Sequence, residues 1–188
     1  MNAALLALGA LGLLVQPPGV TPSRSGSLPA GTQPARAKKP LLLGATTAAA
    51  ILANRASFRD HLAMVKLTEA QRARWKAVRR PFTLVAVFGS WCGDSHRQLP
   101  DLLALDAEIN PFIDVRYLGV GRDMALAPTA WPDGCPPQKV ARVPTFYLFA
   151  TQPGGGQKLV GKVVETPPPS RTMAAVLVDL VETQAHAH

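Results

Sequence analysis

The stretch Phe82–Gly89, FTLVAVFG, constrains the fold of this chain more than any other segment. It is almost entirely apolar or β-branched and shows no alternation with polar residues. A strand of this composition is buried on both faces of a sheet, so structure must cover the sheet on both sides. We therefore predict an α/β fold with one central sheet flanked by helices.

Patterns typical of helices and strands surround this segment. A helix is expected over Thr46–Val65, with a break near residues 54–57. Another begins at Thr68, because its spacing to Gln71 is that of a capping box. The remaining expected elements are a helix over about 93–109, three strands at 112–120, 143–150 and 157–165, and a last helix over Arg171–Glu182.

Residues 1–40 differ in composition from the rest of the chain. Their apolar run, 3–15, is shorter than the ~20 residues of a membrane-spanning helix but has the length of a secretory signal core, although no Lys or Arg precedes it. The Pro-, Gly- and Ser-rich stretch 16–40 cannot bury enough apolar surface to fold, so it is interpreted as a linker. We expect no stable membrane span. The run favours an exported, periplasmic protein over a cytoplasmic one, with an uncleaved leader as the alternative.

The chain is basic, with a formal net charge of +8. Much of the excess lies in the linker and along one predicted helix that carries five basic residues, Arg72, Arg74, Lys76, Arg79 and Arg80. No aromatic residues alternate with these charges, as base stacking would require. We interpret the charge as a source of solubility and expect no nucleic-acid partner.

Cys92 ends the loop after the first predicted strand and opens the next helix. The unpaired N–H groups and positive end of a helix favour an ionised thiol there, and the thiolate is the nucleophilic form of cysteine. His96 and Arg97 add positive charge one turn further on, whereas Asp94 opposes ionisation. This pattern predicts a reactive thiol. No metal site is expected, because Cys92 and His96 have no further ligands nearby.

The segment SWCGDS resembles the W-C-x-x-C active site of the thioredoxin superfamily, with Ser95 at the second cysteine position. Pro100 matches the proline that kinks the family's active-site helix, and Pro144 in ARVPTFYLF matches its cis-proline. The resemblance implies a thioredoxin-like domain over 81–186, with a central mixed sheet flanked by helices. It is strongest to a bacterial subgroup with W-C-G-D motifs and an extra helical N-terminal region, here 41–80.

The resemblance also implies roles for individual residues. The backbone of Val143 would pair with an extended substrate. Catalytic roles fall on Cys92 and Ser95, and substrate contacts on Trp91, Gly93, Asp94, Val143, Pro144 and Thr145.

Two positions depart from the family pattern. Ser95 cannot form a disulfide, so the fast intramolecular release of a mixed disulfide is lost. Ala86 occupies the position of the buried acid that serves as a proton shuttle. Cys135, in a proline-rich insertion nine residues before Pro144, is a hypothetical resolving partner for Cys92. Without it, glutathione or another small thiol must resolve the intermediate.

We therefore expect a thiol–disulfide oxidoreductase that acts on protein or small-molecule disulfides and thiols. It would need no bound cofactor, with glutathione as an external thiol. Two alternatives stay open. One is a redox-inactive binding module that keeps the fold. The other is a glutathione- and iron–sulfur-binding protein similar to monothiol glutaredoxins, suggested by the spacing of Cys92 and Ser95 but fitted less well by Trp91 and Pro100.

Overall fold

The computed structural model describes residues 39–187, so the predicted leader and linker over 1–40 lie outside the described residues except for Lys39 and Pro40. The elements in chain order are β1 (Gly44–Thr46), α1 (Ala48–Asn54), α2 (Ala56–Met64), α3 (Glu69–Ala77), β2 (Phe82–Phe88), α4 (Gly93–Asp106), β3 (Ile113–Gly119), β4 (Thr145–Thr151), β5 (Gln157–Val164) and α5 (Met173–His186). A short 3₁₀ helix, Pro128–Ala130, interrupts the long segment between β3 and β4.

The strands form one mixed sheet in the order β1-β3-β2-β4-β5. β2 and β3 are parallel, and the other neighbouring pairs are antiparallel. All seven residues of the central strand β2 are buried, as its composition predicted. The register pairs Val87 with Thr145. The loops that carry Cys92 and Pro144 therefore lie at the same edge of the sheet.

The two faces of β2 are covered by different kinds of structure. Leu84 and Phe88 pack with buried side chains from all five helices. Val85 and Val87, on the opposite face, pack with side chains of the irregular segment 121–143. The α/β class and the thioredoxin-like arrangement are confirmed. The helix layer expected on the second face is replaced by this segment.

The N-terminal region over 41–80 contains α1, α2 and α3, together with a strand that was not predicted. The helix expected over Thr46–Val65 is divided at Arg55, inside the predicted break, and begins only at Ala48. The residues before it form β1, which pairs with β3 at the edge of the sheet. The predicted capping box is present, since Thr68 and Gln71 each accept the other's backbone N–H.

Candidate active site

Cys92 is the N-cap residue of α4, in the loop that follows β2. Its N–H donates to the Gly89 carbonyl at 2.9 Å, and its own carbonyl accepts the His96 N–H at 3.1 Å. The backbone is thus held on both sides of the residue. The residue as a whole is only half-buried, so solvent reaches part of it.

The Val143–Pro144 peptide lies against this sulfur. The peptide is cis, as the family resemblance implied, and Cys92 Sγ donates to the Val143 carbonyl at 3.4 Å. The Pro144 carbonyl accepts the Glu165 N–H at 2.7 Å, which ties the turn to the end of β5. The structure therefore brings Cys92 and the Val143–Pro144 turn together.

Thr145 is buried and holds the turn by a side-chain hydrogen bond. Its side chain is 2% exposed, and its hydroxyl donates to the Arg142 carbonyl at 2.8 Å. The Val143 and Pro144 side chains are buried as well. At this turn the Val143 carbonyl, rather than these side chains, is the polar group in contact with the sulfur.

Trp91 is packed by three neighbours. Its indole Nε1–H donates to the Val120 carbonyl at 3.1 Å, and the Arg122 guanidinium lies 4.7 Å from its ring centroid. The ring also occupies the space in which a Cβ on Gly89 would project, since that atom would lie 2.8 Å from the indole. The glycine before the motif is therefore required by the position of the tryptophan.

Ser95 is fully buried in the first turn of α4. Its hydroxyl oxygen accepts the Gly89 N–H at 3.2 Å. The family resemblance implied a catalytic role for Ser95, but the contact that the structure gives its hydroxyl is to the backbone of the loop. Ser95 thus connects the helix to the end of β2.

The charges on α4 differ from expectation. His96 does not supply a positive charge to Cys92, because burial lowers its pKa below the ordinary value. Its Nε2–H donates to the Ser90 carbonyl at 3.0 Å, which leaves Nδ1 to accept the Ser57 hydroxyl at 3.1 Å. Asp94 is ion-paired with Arg97 one turn along, and Gly93 is exposed.

A set of contacts from the N-terminal region, which the sequence pattern did not predict, holds Ser90. Arg55 donates its Nε–H to the Ser90 carbonyl at 2.8 Å and an Nη2–H to the Lys39 carbonyl at 3.3 Å. The Ser90 hydroxyl accepts the Leu42 N–H at 3.1 Å. The residues around Arg55 indicate a helix break but no contact with the active-site loop, because its partners are distant in sequence.

Cys135 is not brought to Cys92. It is 5% exposed and lies beside Thr83, near the start of β2, whereas Cys92 lies beyond the end of that strand. Thr83 and Val87 alone are separated by about 13 Å at ~3.3 Å per residue, whereas a disulfide needs Cα atoms within about 7 Å. Burial raises the pKa of the Cys135 thiol to about 11. The idea that its loop returns the thiol to the active-site edge is wrong for this structure.

Ala86 and Pro100 are the two remaining positions that were compared with the family pattern, and they lie in β2 and α4. Ala86 is fully buried in β2, so the core there contains no acid. Pro100 is buried within α4 and has no N–H to donate to the His96 carbonyl.

Within residues 39–187, no cluster of three metal-ligating side chains is found, and no helix has the length and apolarity needed to cross a membrane.

Comparisons with known proteins give one family. Two solved structures are similar to this chain, each at a TM-score of 0.46. One is a Pseudomonas aeruginosa protein of unknown function, 19% identical, and the match covers 76% of this chain and 87% of that protein. The other is an HIV epitope scaffold, 16% identical, and the match covers 76% of this chain and 90% of the scaffold. These likenesses are too distant to bear on function. No curated protein matches. A family model described as Thioredoxin matches residues 45–175, more than half of the chain, and includes both Cys92 and Pro144. The chain therefore belongs to the thioredoxin family.

Proposed function

We propose that this protein is a thiol–disulfide oxidoreductase of the single-cysteine W-C-G-D-S type, in which Cys92 is the only active-site nucleophile. The observation that carries the proposal is the half-buried Cys92 sulfur at the start of α4, 3.4 Å from the Val143 carbonyl. A helix N-terminus favours negative charge, and a thiolate is the attacking species in disulfide exchange.

The proposed reaction has two exchange steps. The Cys92 thiolate attacks one sulfur of a disulfide R–S–S–R′, so a Cys92–S–S–R bond forms, the R–S–S–R′ bond breaks, and R′S⁻ leaves and takes a proton from water. A second thiolate, G–S⁻, then attacks the R sulfur. This forms G–S–S–R and regenerates the Cys92 thiolate. In the net reaction the R′ sulfur is reduced to a thiol and the sulfur of the external thiol is oxidised into the new disulfide G–S–S–R, from which a second external thiol can release R as its thiol.

We propose that the resolving thiol is a separate molecule, either glutathione or another small thiol. Ser95 has no sulfur, and Cys135 lies near the opposite end of β2 with a raised pKa. Neither can release a mixed disulfide from Cys92.

The Val143 carbonyl gives the site a place for an extended reactant. Its bond with Cys92 needs the thiol proton, so the bond is lost when the sulfur ionises or forms a disulfide. The freed oxygen can then accept an N–H from a peptide bound alongside, in the manner of strand addition. Trp91, which directly precedes Cys92, adds a flat apolar side chain to the same loop.

The test is reduction of bis(2-hydroxyethyl) disulfide with and without glutathione. The parent is compared with Cys92→Ser and with Cys135→Ala as the matched control. We expect glutathione-dependent turnover in the parent and the control, and none above background in Cys92→Ser. Mass spectrometry should find the mixed disulfide on Cys92. Turnover that survives in Cys92→Ser would contradict the proposal, and inactivity of all three proteins would favour a binding module that keeps the fold.

A further inference from the structure

A cavity of about 470 Å³ lies beside the active-site loop, on the side of Trp91 that faces the N-terminal region. Its size is within the range of small-molecule sites. The residues that line it are Leu41, Arg55, Ser90, Trp91, His96 and Arg122.

The cavity wall contains two arginines and no carboxylate. Arg122 is exposed and lies over the Trp91 ring, and within the described part of the chain it forms no ion pair. Arg55 uses its Nε–H and one Nη2–H on two backbone carbonyls, which leaves N–H groups on the guanidinium free. Two guanidinium groups facing one cavity favour an anionic ligand between them.

The nearby carboxylates do not neutralise this charge. Asp94 is ion-paired with Arg97, and within residues 39–187 no ion pair joins Asp123 to Arg122 or Arg55. His96 adds no charge of its own, because burial lowers its pKa below the ordinary value. The cavity therefore combines positive charge with the indole face of Trp91 and the apolar side chain of Leu41.

The cavity is within reach of a ligand bound at Cys92. Ser90 and Trp91 form part of its wall and directly precede the cysteine. Two peptide units separate the Cα atoms of Ser90 and Cys92 by no more than about 8 Å. A molecule of a few residues, with its sulfur at Cys92, spans this distance.

We propose that the cavity beside Trp91 binds a carboxylate of the thiol or disulfide that reacts at Cys92, with Arg122 and Arg55 as the anion-binding residues. The substrate class is thus a small thiol or disulfide that carries a free carboxylate. This inference rests on the proposed oxidoreductase function, and its test must separate anion binding from exchange at the sulfur.

The kinetic test uses the mixed disulfide of Cys92 with 2-mercaptoethanol, which is neutral. Three thiols are then compared as the resolving reagent. Besides the thiol, 3-mercaptopropionate carries a negative carboxylate, 2-mercaptoethanol a neutral hydroxyl and cysteamine a positive ammonium group. Each rate constant in Arg122→Gln is divided by that of the parent. We expect a fall of about fivefold for 3-mercaptopropionate, the upper range of an exposed ion pair, and less change for the other two. Arg122→Lys should retain part of the preference.

The matched control is Arg116→Gln, an arginine in the middle of β3 that is ion-paired with Asp114 and does not line the cavity. It should leave all three rate constants unchanged. Added salt should slow 3-mercaptopropionate in the parent more than in Arg122→Gln. An equal fall for all three thiols in Arg122→Gln would overturn the inference, because Arg122 would then act only through Trp91.

A binding measurement keeps the inference testable even where exchange fails. S-methylglutathione, which carries carboxylates but no reactive thiol, is titrated into the full chain to about 10 mM while the Trp91 indole N–H is followed by NMR. A saturable shift that is lost in Arg122→Gln supports the anion site, whatever the outcome at Cys92. No shift in the parent would overturn it. Loss of exchange with every thiol, with the shift retained, would contradict only the oxidoreductase function.

Discussion

At Gly89 the fold depends on the absence of a single carbon atom. A Cβ there would lie 2.8 Å from the Trp91 ring, so Gly89→Ala must displace the indole from the Val120 carbonyl. We expect a loss of about 1–3 kcal/mol in the free energy of unfolding, as for other overpacked sites. Urea denaturation measures the loss, and a shift in Trp91 fluorescence should accompany it.

Gly93 provides the control for this prediction. It lies in the first turn of α4, and a Cβ there would meet only the Arg97 side chain, at 3.6 Å. Because alanine favours a helix more than glycine does, Gly93→Ala should leave stability unchanged or raise it by up to about 1 kcal/mol. Equal losses in the two variants would show that Trp91 packing is not the cause.

The two cysteines should react at very different rates. Cys92 is half-buried, whereas Cys135 is 5% exposed and its pKa is raised to about 11. At pH 8 only about a thousandth of Cys135 is then ionised, and the thiolate is the form that alkylates. We expect brief treatment with iodoacetamide to modify Cys92 alone, as read by peptide mass spectrometry. Comparable modification of both cysteines would contradict the burial of Cys135.

The raised pKa of Cys135 also has a consequence at alkaline pH. The unfolded chain loses this thiol proton first, near the ordinary cysteine value of about 8.5, and the folded chain only near 11. Burial of the neutral thiol therefore stabilises the fold below about 8.5, and the stabilisation declines as the pH rises toward 11. The difference in unfolding free energy between the parent and Cys135→Ala should shrink over this range, as measured by denaturation at pH 7.5 and 10.5.

Among the helices and strands, those with a strong local pattern were predicted and those fixed by distant partners were not. β2 was evident from its unbroken apolar run, and the break at Arg55 and the Thr68 capping box were evident from residue type and spacing. β1 has only three residues, and its pairing with β3 depends on Gly119, more than seventy residues away. No local pattern could reveal it.

In the candidate site, too, residues that belong to a local motif were predicted and contacts with distant residues were not. The motif and the family resemblance identified Cys92 and Pro144, and the structure brings them together. The sequence did not reveal that His96 would be buried against Phe58 of α2, at 4.6 Å between ring centroids. Nor did it reveal where the segment that carries Cys135 would cross the sheet, because an irregular, proline-rich insertion has no periodicity to specify its path.

The packing of α2 against α4 should depend on pH through His96. Burial lowers the His96 pKa, so the unfolded chain binds this proton first as the pH falls through about 6.5. The neutral ring therefore stabilises the fold above about pH 6.5, and this stabilisation declines as the pH falls toward the lowered folded-state pKa. Between pH 7.5 and 5.5 the parent should lose more unfolding free energy than His96→Gln. Equal losses in urea denaturation would contradict the assignment.

For the whole molecule, the N-terminal segment joins the edge of the sheet to the active-site loop. Its residues pair with β3 through β1, and the Leu42 N–H donates to the Ser90 hydroxyl. Arg55 adds a bond from the junction of α1 and α2 to the Ser90 carbonyl. The region before the thioredoxin motif is therefore part of the structure that holds Cys92, and a change at the sheet edge should be felt at the active-site loop.

Gly119 tests this coupling. A Cβ at this residue of β3 would overlap the Leu42 carbonyl oxygen and lie 2.7 Å from the carbonyl carbon. Because backbone atoms cannot yield as a flexible side chain can, Gly119→Ala should push the segment from the sheet. We expect a loss of about 1–3 kcal/mol in unfolding free energy and faster amide hydrogen exchange at Leu42, Ser90 and Trp91.

Gly121→Ala is the matched control, since its Cβ would meet the side-chain carboxylate of Asp123, which can rotate away. It should change stability by less than Gly119→Ala and leave exchange at Ser90 as in the parent. If Gly119→Ala destabilises the chain but exchange at Ser90 and Trp91 does not change, the sheet edge and the active-site loop are independent. If exchange rises at both, the N-terminal segment supports the candidate site, and the proposed disulfide exchange at Cys92 should slow as well.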